Sequence, residues 1–210
     1  MWLYYFLKTK FFEWREQRVV ANYFYLDAEY RKKDEALLSA YKGQSPYRIS
    51  KEYLIGRGAK EVHAYGETPL TTMALIAKEC QLGIHDTIIE MGAGRGRGAL
   101  FLAEYVGCKV IAYEQIPAFV EKMISSANLK MLSSDMFSAN FSEATAIYLY
   151  GTMLEDPSIL ELTMKFPAGV KIITVSYPLD VYSQGFKTIK TFRGRFPWGK
   201  TEIYINERTV

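Results

Sequence analysis

The sequence predicts an α/β fold: a mostly parallel sheet closed by a C-terminal antiparallel hairpin, with a helical extension in front. Three observations predict it. From Thr68 onward, five short apolar runs alternate with helical patterns, as parallel strands joined by right-handed crossovers require. Near the C-terminus, "GFKTIKTF" and "KTEIYINE" alternate polar and apolar residues and read as a hairpin, a common antiparallel addition to such sheets. Residues 2–42 contain neither Gly nor Pro and are rich in Glu, Lys, Arg, Leu and Ala, which predicts helix up to Gly43.

The elements follow in order. "GQSPYR" reads as a loop, and residues 50–65 are ambiguous, because Gly56 and Gly58 break any long element. "TTMALIAKECQL" is helical, with Met73, Ile76, Ala77 and Cys80 on one side, and ends at Gly83. "DTIIEM" is a buried strand, "GRGALFLAEYV" a helix closed by Gly107, and "KVIAYE" the second strand. "PAFVEKMISSA" is a helix with Pro117 in its first turn, and "LKMLSS" the third strand. "ATAIYLYG" is the fourth strand, "SILELTMKF" a helix, and "VKIITVSY" a fifth strand ended by Pro178. "RGRFPWG" is expected as a long connection between the hairpin strands. These elements predict a domain over residues 62–210 and a helical extension over 1–61.

Composition narrows the function. Hydrophobic residues make up 49% and charged residues 23% of the chain, so a packed core is expected and disorder is excluded. The formal net charge of +3 is small, and nucleic acid is not expected as a partner. The charge is uneven, however. Residues 1–60 carry 12 Lys and Arg against 7 Asp and Glu, and the remainder 14 against 16. A solvated basic face is the plain reading; a surface for an acidic partner or anionic lipid is the sharper one. Cys80 and Cys108 belong to no CxxC or Cys/His cluster, so no metal is expected, and a cytoplasmic location is. The opening "MWLYYF" is too short to span a bilayer and lacks the marks of a signal peptide. Trp2, Tyr5, Phe6, Phe12 and Trp14 recur at roughly helical spacing. Such a stripe packs on the following domain or a second copy, as in a homodimer. With Lys8, Lys10, Arg15 and Arg18 beside it, it also suits a helix lying on a membrane surface.

The chemistry is expected at "IIEMGAGRGRGAL", residues 88–100, which follows the first strand and opens a helix. Gly92, Gly94 and Gly96 can take positive φ and let a ligand touch main chain, while the helix N-terminus favours an anionic group. A dinucleotide reading, with Gly94, Gly96 and Ala99 as GxGxxA, starts two residues too late in the turn, and Arg97 stands where its third glycine belongs counted from the strand end. A phosphate loop fails because no Gly-Lys-Ser/Thr follows. Glu90, Glu114 and Asp135 fall at three successive strand ends, where ligands of such sheets lie. Glu114 can accept both hydroxyls of a ribose. Asp135 can accept from an adenine amino group, with Met136 covering the ring.

"EMGAGRGRG", "VIAYE" and "SSDMF" resemble, in order, the first three motifs of the class I S-adenosylmethionine-dependent methyltransferases. The resemblance covers about two-thirds of the chain and implies a Rossmann-like sheet and S-adenosylmethionine as cofactor. It implies cofactor contacts at Glu90, Gly92, Ala93, Gly94, Gly96, Glu114, Gln115, Asp135 and Met136. "AYGETPL", residues 64–70, resembles the loop before the first motif in the non-SET, disruptor-of-telomeric-silencing-type histone-lysine methyltransferases. That likeness implies that Tyr65, Glu67 and Thr68 close over the methionine end of the cofactor. "ITVSYPL" and the hairpin also look like the lysine methyltransferases related to those acting on the ATP-synthase c subunit. The sequence departs from the histone enzymes at "IYLYGTML", where they carry asparagine-containing segments.

The resemblance therefore implies N-methylation of a protein lysine. The alternatives are methylation of a small molecule or RNA, a binding module without catalysis, or a nicotinamide enzyme. For a lysine, tyrosines suit the channel, since their faces attract cations and their hydroxyls guide a proton. Tyr65, Tyr150 and Tyr177 are the catalytic candidates, the last two by their places at strand ends. No Asn/Asp-Pro-Pro-Tyr/Phe segment follows the fourth strand, which argues against adenine-N6, cytosine-N4 and glutamine-amide methylation. His63 lies beside the Tyr65 loop, and His85 in a turn expected at the surface. Arg95 and Arg97 can each meet a carboxylate, though Arg97 is expected to face solvent. Trp198 offers a stacking surface at the hairpin tip.

Overall fold

The computed structural model describes the backbone of residues 2–209 and the side chains from Phe6 to Thr209. Seven strands form one sheet in the order β3-β2-β1-β4-β5-β7-β6. They are β1 Thr87–Met91, β2 Lys109–Glu114, β3 Leu129–Ser133, β4 Ala146–Leu149, β5 Lys171–Val175, β6 Phe186–Phe196 and β7 Gly199–Arg208. The first five are parallel, and β7 lies antiparallel between β5 and β6. This is the mixed, Rossmann-like sheet of a class I methyltransferase fold, preceded by helices.

Strand alternation divides the core. Ile88, Val110, Ala146 and Ile173 face one side, under helices α4 (Leu70–Glu79) and α5 (Arg97–Phe101). Ile89, Ile147, Leu149 and Ile172 face the other, under α7 (Asp156–Lys165). Val20, Phe24 and Tyr30 from the N-terminal helices join the first layer, with Phe24 and Tyr30 each edge-on to Phe101. A third cluster sets Leu37, Tyr41 and Ile49 against Leu100 and Phe119.

Four elements differ from expectation. The long N-terminal helix is two, α1 (Trp2–Tyr23) and α2 (Ala28–Ser39), because the Asp27 carboxylate accepts from the Tyr30 N–H (3.0 Å) and starts a new helix. Pro46 does not lie in a loop; it opens α3 (Pro46–Gly56), where its missing N–H costs nothing. The helix at Pro117 runs only to Glu121 (α6), and an isolated bridge between Ser126 and Leu129 takes over. "RGRF" belongs to β6, so Pro197 and Trp198 alone turn the hairpin. Of the aromatic stripe, the side chains of Trp2 and Tyr5 lie outside the described residues, Phe12 is half-buried, and Phe6 and Trp14 are exposed.

The helical extension is bolted to the glycine turn. Arg97 does not face solvent. Its guanidinium makes a two-pronged pair with Asp34 of α2 (2.8 and 2.7 Å), and Tyr25 donates to the same carboxylate (2.8 Å). Burial alone would lower the Arg97 guanidinium, but the Asp34 hydrogen bonds and charge outweigh it and hold it above its ordinary value. On α1, Glu16 accepts from the Thr71 N–H and hydroxyl (2.8 and 2.6 Å), which caps the start of α4. A two-pronged ion pair whose carboxylate is fully buried and whose arginine is largely so is costly to break from one side. Asp34→Ala is therefore expected to destabilise the fold by about 3–5 kcal/mol in urea unfolding. The apolar pair Asp34→Leu with Arg97→Met should recover most of that loss; equal losses in both variants would contradict it.

Candidate functional site

The C-terminal strand tips are tied side by side by backbone hydrogen bonds. The N–H groups of Gly92 and Ala93 both donate to the Tyr113 carbonyl at the end of β2 (2.9 and 3.0 Å). The Ser134 N–H, after β3, donates to the Glu114 carbonyl (3.0 Å). Residues 88–98 thus leave β1, reverse over β2 and enter α5. Gly92 sits at φ +74°, and a Cβ there would point into open space, so this stretch of main chain is bare toward any ligand. Gly94 is at φ +59°, and a Cβ there would stand 3.0 Å from the Tyr65 ring, which lies against the turn. Gly96 faces Met123.

The acidic tips differ in environment. Glu114 is buried and reaches back over the turn, accepting from the N–H groups of Gly94 (2.7 Å) and Ile116 (2.8 Å). Burial raises its pKa, against the pull of those amides. Glu90 is paired in register with Tyr148 of β4, and its Oε2 is buried with no hydrogen-bond partner. Burial, with the Glu114 charge adding to it, pushes Glu90 from 4.5 up to about 8. Asp135 is exposed and accepts from the Phe137 N–H (3.0 Å). Gln115 is exposed, and Met136 and Ala93 are half-buried.

The loop from residue 59 to 69 folds over this turn. Tyr65 packs on Phe119 and Tyr47, with ring centroids at 5.3 and 5.0 Å, and its hydroxyl donates to Glu67. Arg95 closes on the same carboxylate (2.6 and 2.7 Å). Thr68 hydrogen-bonds the Tyr148 hydroxyl, which pins the loop to β4. Tyr150 stands against Gly66 and begins a parallel stack with Phe196 (5.9 Å) and Trp198 of the hairpin. Burial raises all of these phenols: Tyr150 to about 12, Tyr65 and Tyr148 well above the ordinary 10.0. They remain protonated near neutral pH.

Tyr65, Glu67, Thr68, Tyr150, Glu90 and Glu114 thus gather around one turn. Tyr177 lies off the glycine turn but at the same β4 tip: its hydroxyl is buried without a hydrogen-bond partner against Gly151, next to Tyr150, and its ring meets Tyr182 edge-on. His63 and His85 are exposed. Sequence reasoning passed over Tyr148, Asp34 and Tyr25. The signal for Tyr148 is alternation, because it shares a face with Tyr150 inside a buried strand and its hydroxyl needs a partner. Among the described residues no helix is long and apolar enough to cross a membrane, and no three His, Cys, Asp or Glu side chains gather as a metal site.

The chain matches no protein-family model and no curated protein sequence. Solved structures do share its fold. An RNA methyltransferase from Salinibacter ruber, in complex with S-adenosyl-L-homocysteine, is 19% identical over 69% of this chain and 94% of that one (TM-score 0.56). MtNAS in complex with MTA and tNA is 12% identical over 88% of this chain and 73% of that one (TM-score 0.56). An S-adenosylmethionine-dependent methyltransferase from Thiobacillus denitrificans, also with S-adenosyl-L-homocysteine, is 11% identical over 69% and 74% (TM-score 0.50). At such identities the likeness speaks for the fold. The MtNAS match spans more of the chain than residues 62–210 can supply, so it reaches into the N-terminal helices. The expectation that nucleic acid is not a partner is corrected here. An RNA methyltransferase is built on this fold, and a small net charge averages over a basic N-terminal part and a slightly acidic remainder.

The raised Glu90 gives a signed prediction. Between about pH 4.5 and about 8 the folded chain keeps a proton that the unfolded chain has released. Stability from that proton is fully present below the lower value and is lost as pH rises to the upper one. The melting temperature of the ligand-free protein should fall across this window, and Glu90→Gln should flatten the fall. Parallel wild-type and Gln curves would rule it out.

Proposed function

We propose that the chain is an S-adenosylmethionine-dependent methyltransferase whose acceptor is a nucleic acid or a small molecule. In this reading residues 62–210 are the catalytic domain, and 1–61 an extension that shapes the acceptor side. The observation that carries it is the buried, unanswered oxygen of Glu90 beside Glu114, at a glycine turn whose main chain is bare at Gly92. A carboxylic acid held near pKa 8 in such a place suits a ligand that brings a cation. Glu114 still has lone pairs for ribose hydroxyls, and Asp135, with Gln115, Ala93 and Met136 around it, suits an adenine edge.

When bound, the cofactor supplies an electrophilic methyl group on a sulfonium. The chain's residues then have three tasks. Glu90 and Glu114 hold charge and ribose. The Tyr65 loop, fixed by the Glu67–Arg95 pair and by Thr68 on Tyr148, excludes water from the turn. Gly94 and Gly96 keep side chains out of the way. Alignment of this kind lowers a barrier by up to about 7–11 kcal/mol.

The tyrosines also bear on the acceptor. A lysine arrives as an ammonium with an ordinary pKa of about 10.4 and must lose a proton. Tyr65, Tyr148 and Tyr150 are protonated at neutral pH, so they position and donate but do not take that proton. A ring nitrogen of a nucleobase, or a lone pair on a small molecule, is nucleophilic without that step. The protein-lysine reading rests on sequence likeness alone, in the Tyr-Gly-Glu-Thr loop and in "ITVSYPL" with the hairpin.

Calorimetry should show S-adenosylhomocysteine binding and NAD not binding; the reverse would end the proposal. Tritium from labelled S-adenosylmethionine, transferred into cell extract, should appear in nuclease-sensitive or small-molecule fractions. Label released only by protease would return the acceptor to protein.

A further inference from the structure

A second concavity lies beside the site, between α1 and the β6–β7 hairpin. It encloses about 590 Å³. One wall carries Lys8, Phe11 and Arg15 from α1, and the other Arg193, Arg195 and Lys200 from the hairpin. Its charges are not balanced from within. Among the described residues no carboxylate pairs with Arg15, Arg195 or Lys200. Glu16, the carboxylate in its lining, is engaged by Thr71. Arg195 and Lys200 stand directly opposite each other across the hairpin, a like-charge arrangement that costs stability unless an anion relieves it.

The wall is built rigidly. The Thr72 hydroxyl donates to the Arg195 carbonyl (2.6 Å) and accepts from its N–H (3.1 Å). Lys8 donates to the Trp198 carbonyl (3.0 Å), which ties the hairpin tip to α1. The same strand end carries Phe196, which clusters with Trp198 (5.0 Å, 20°) and Tyr150 (5.9 Å, 10°), and those two rings also meet each other directly (6.4 Å, 29°). Trp198 is 52% exposed on the solvent side of this cluster, and Tyr150 touches Gly66 of the loop over the glycine turn. Cations lining a groove and near-parallel aromatic faces adjoining it through Phe196 are the two components by which single strands are held: phosphates by charge and bases by stacking.

We propose that this groove is the track of a single-stranded nucleic acid acceptor, with Trp198 as the outer stacking platform that leads a base toward Tyr150. The inference rests on the methyltransferase reading and names its substrate class. A planar anionic bilayer cannot reach both walls of a concave track, whereas a flexible phosphate chain can.

The test uses the full chain and fluorescent oligonucleotides of about 12 residues, within the span one such surface covers. Ribose and deoxyribose single strands, a duplex of the same sequence, and flotation with phosphatidylcholine/phosphatidylglycerol vesicles form the arms. A single strand should bind, with a log–log salt slope of about −2 to −3 for three or four phosphates. The two single-stranded arms then tell which sugar is preferred, and either preference supports the track. Lys200→Glu on the hairpin and Arg15→Glu on α1 should each weaken binding about tenfold and make the slope shallower by about 0.7 or more. S-adenosylhomocysteine binding, measured on the same samples, should be unchanged in both variants. Absence of single-strand binding, a preference for duplex or vesicles, or wild-type affinity in both variants would overturn the proposal. If S-adenosylhomocysteine binds and the single strand does not, this inference alone fails. If S-adenosylhomocysteine does not bind, the methyltransferase reading fails first.

Discussion

The structure depends on one constraint: the chain must reverse between β1 and α5 in a turn that carries no side chains at its bends. Gly92 and Ala93 reach this path only by donating together to the Tyr113 carbonyl, and Gly94 by donating to the Glu114 carboxylate. The reversal therefore fixes the end of β2 as well as the end of β1. It also brings two carboxylates into one low-dielectric corner. Two buried carboxyl groups so placed cannot both ionise cheaply, and the less solvated one, Glu90, keeps its proton. A cation arriving there would change the balance, which is the reason for proposing the corner as a binding site.

The same turn ties the N-terminal helices to the candidate site. Its two arginines point in different directions and each closes on a carboxylate from another segment. Arg95 holds Glu67, and so the Tyr65 loop; Arg97 holds Asp34, and so α2. A shift of α2 would pull on the first turn of α5, and a shift of the loop would pull on the glycines. The Arg97 pair is two-pronged, the geometry in which arginine loses least entropy per hydrogen bond, whereas Arg95 makes one hydrogen bond to Glu67 with its Nε close by as an ion pair. The α1 helix is joined to the hairpin through Lys8 and to α4 through Glu16, so extension, sheet and hairpin meet around one entrance.

Much of this was legible in the sequence. Strands show as short apolar runs because both faces of the sheet are covered, and every one of the seven lies within its expected run or continues from it. The glycine turn and the acidic tips are legible because their spacing follows strand ends. What could not be read depends on long-range contact. Nothing in "EYRKKDEA" marks Asp34 as buried, because only the fold brings Arg97 to it across 63 positions. The break at Asp27 hides in a helix-forming stretch, because its signal is one capping side chain rather than Gly or Pro. The hairpin is tighter than its sequence suggests, since Gly194 looks like a loop residue but is a strand position crowded by Thr72, Ile203 and Phe196. Strand-end position points to Tyr150, and only alternation within the buried strand points to Tyr148.

The most direct measurement is the proton count on ligand binding. Calorimetry of S-adenosylhomocysteine at pH 7, repeated in buffers of different ionisation enthalpy, reports protons released per ligand bound. With Glu90 near pKa 8 before the ligand's ammonium arrives and ionised afterward, close to one proton should leave the wild-type protein. Glu90→Gln should bind more weakly and release almost none. Wild-type binding without proton release, or equal release from both proteins, would contradict the account of the buried acidic corner.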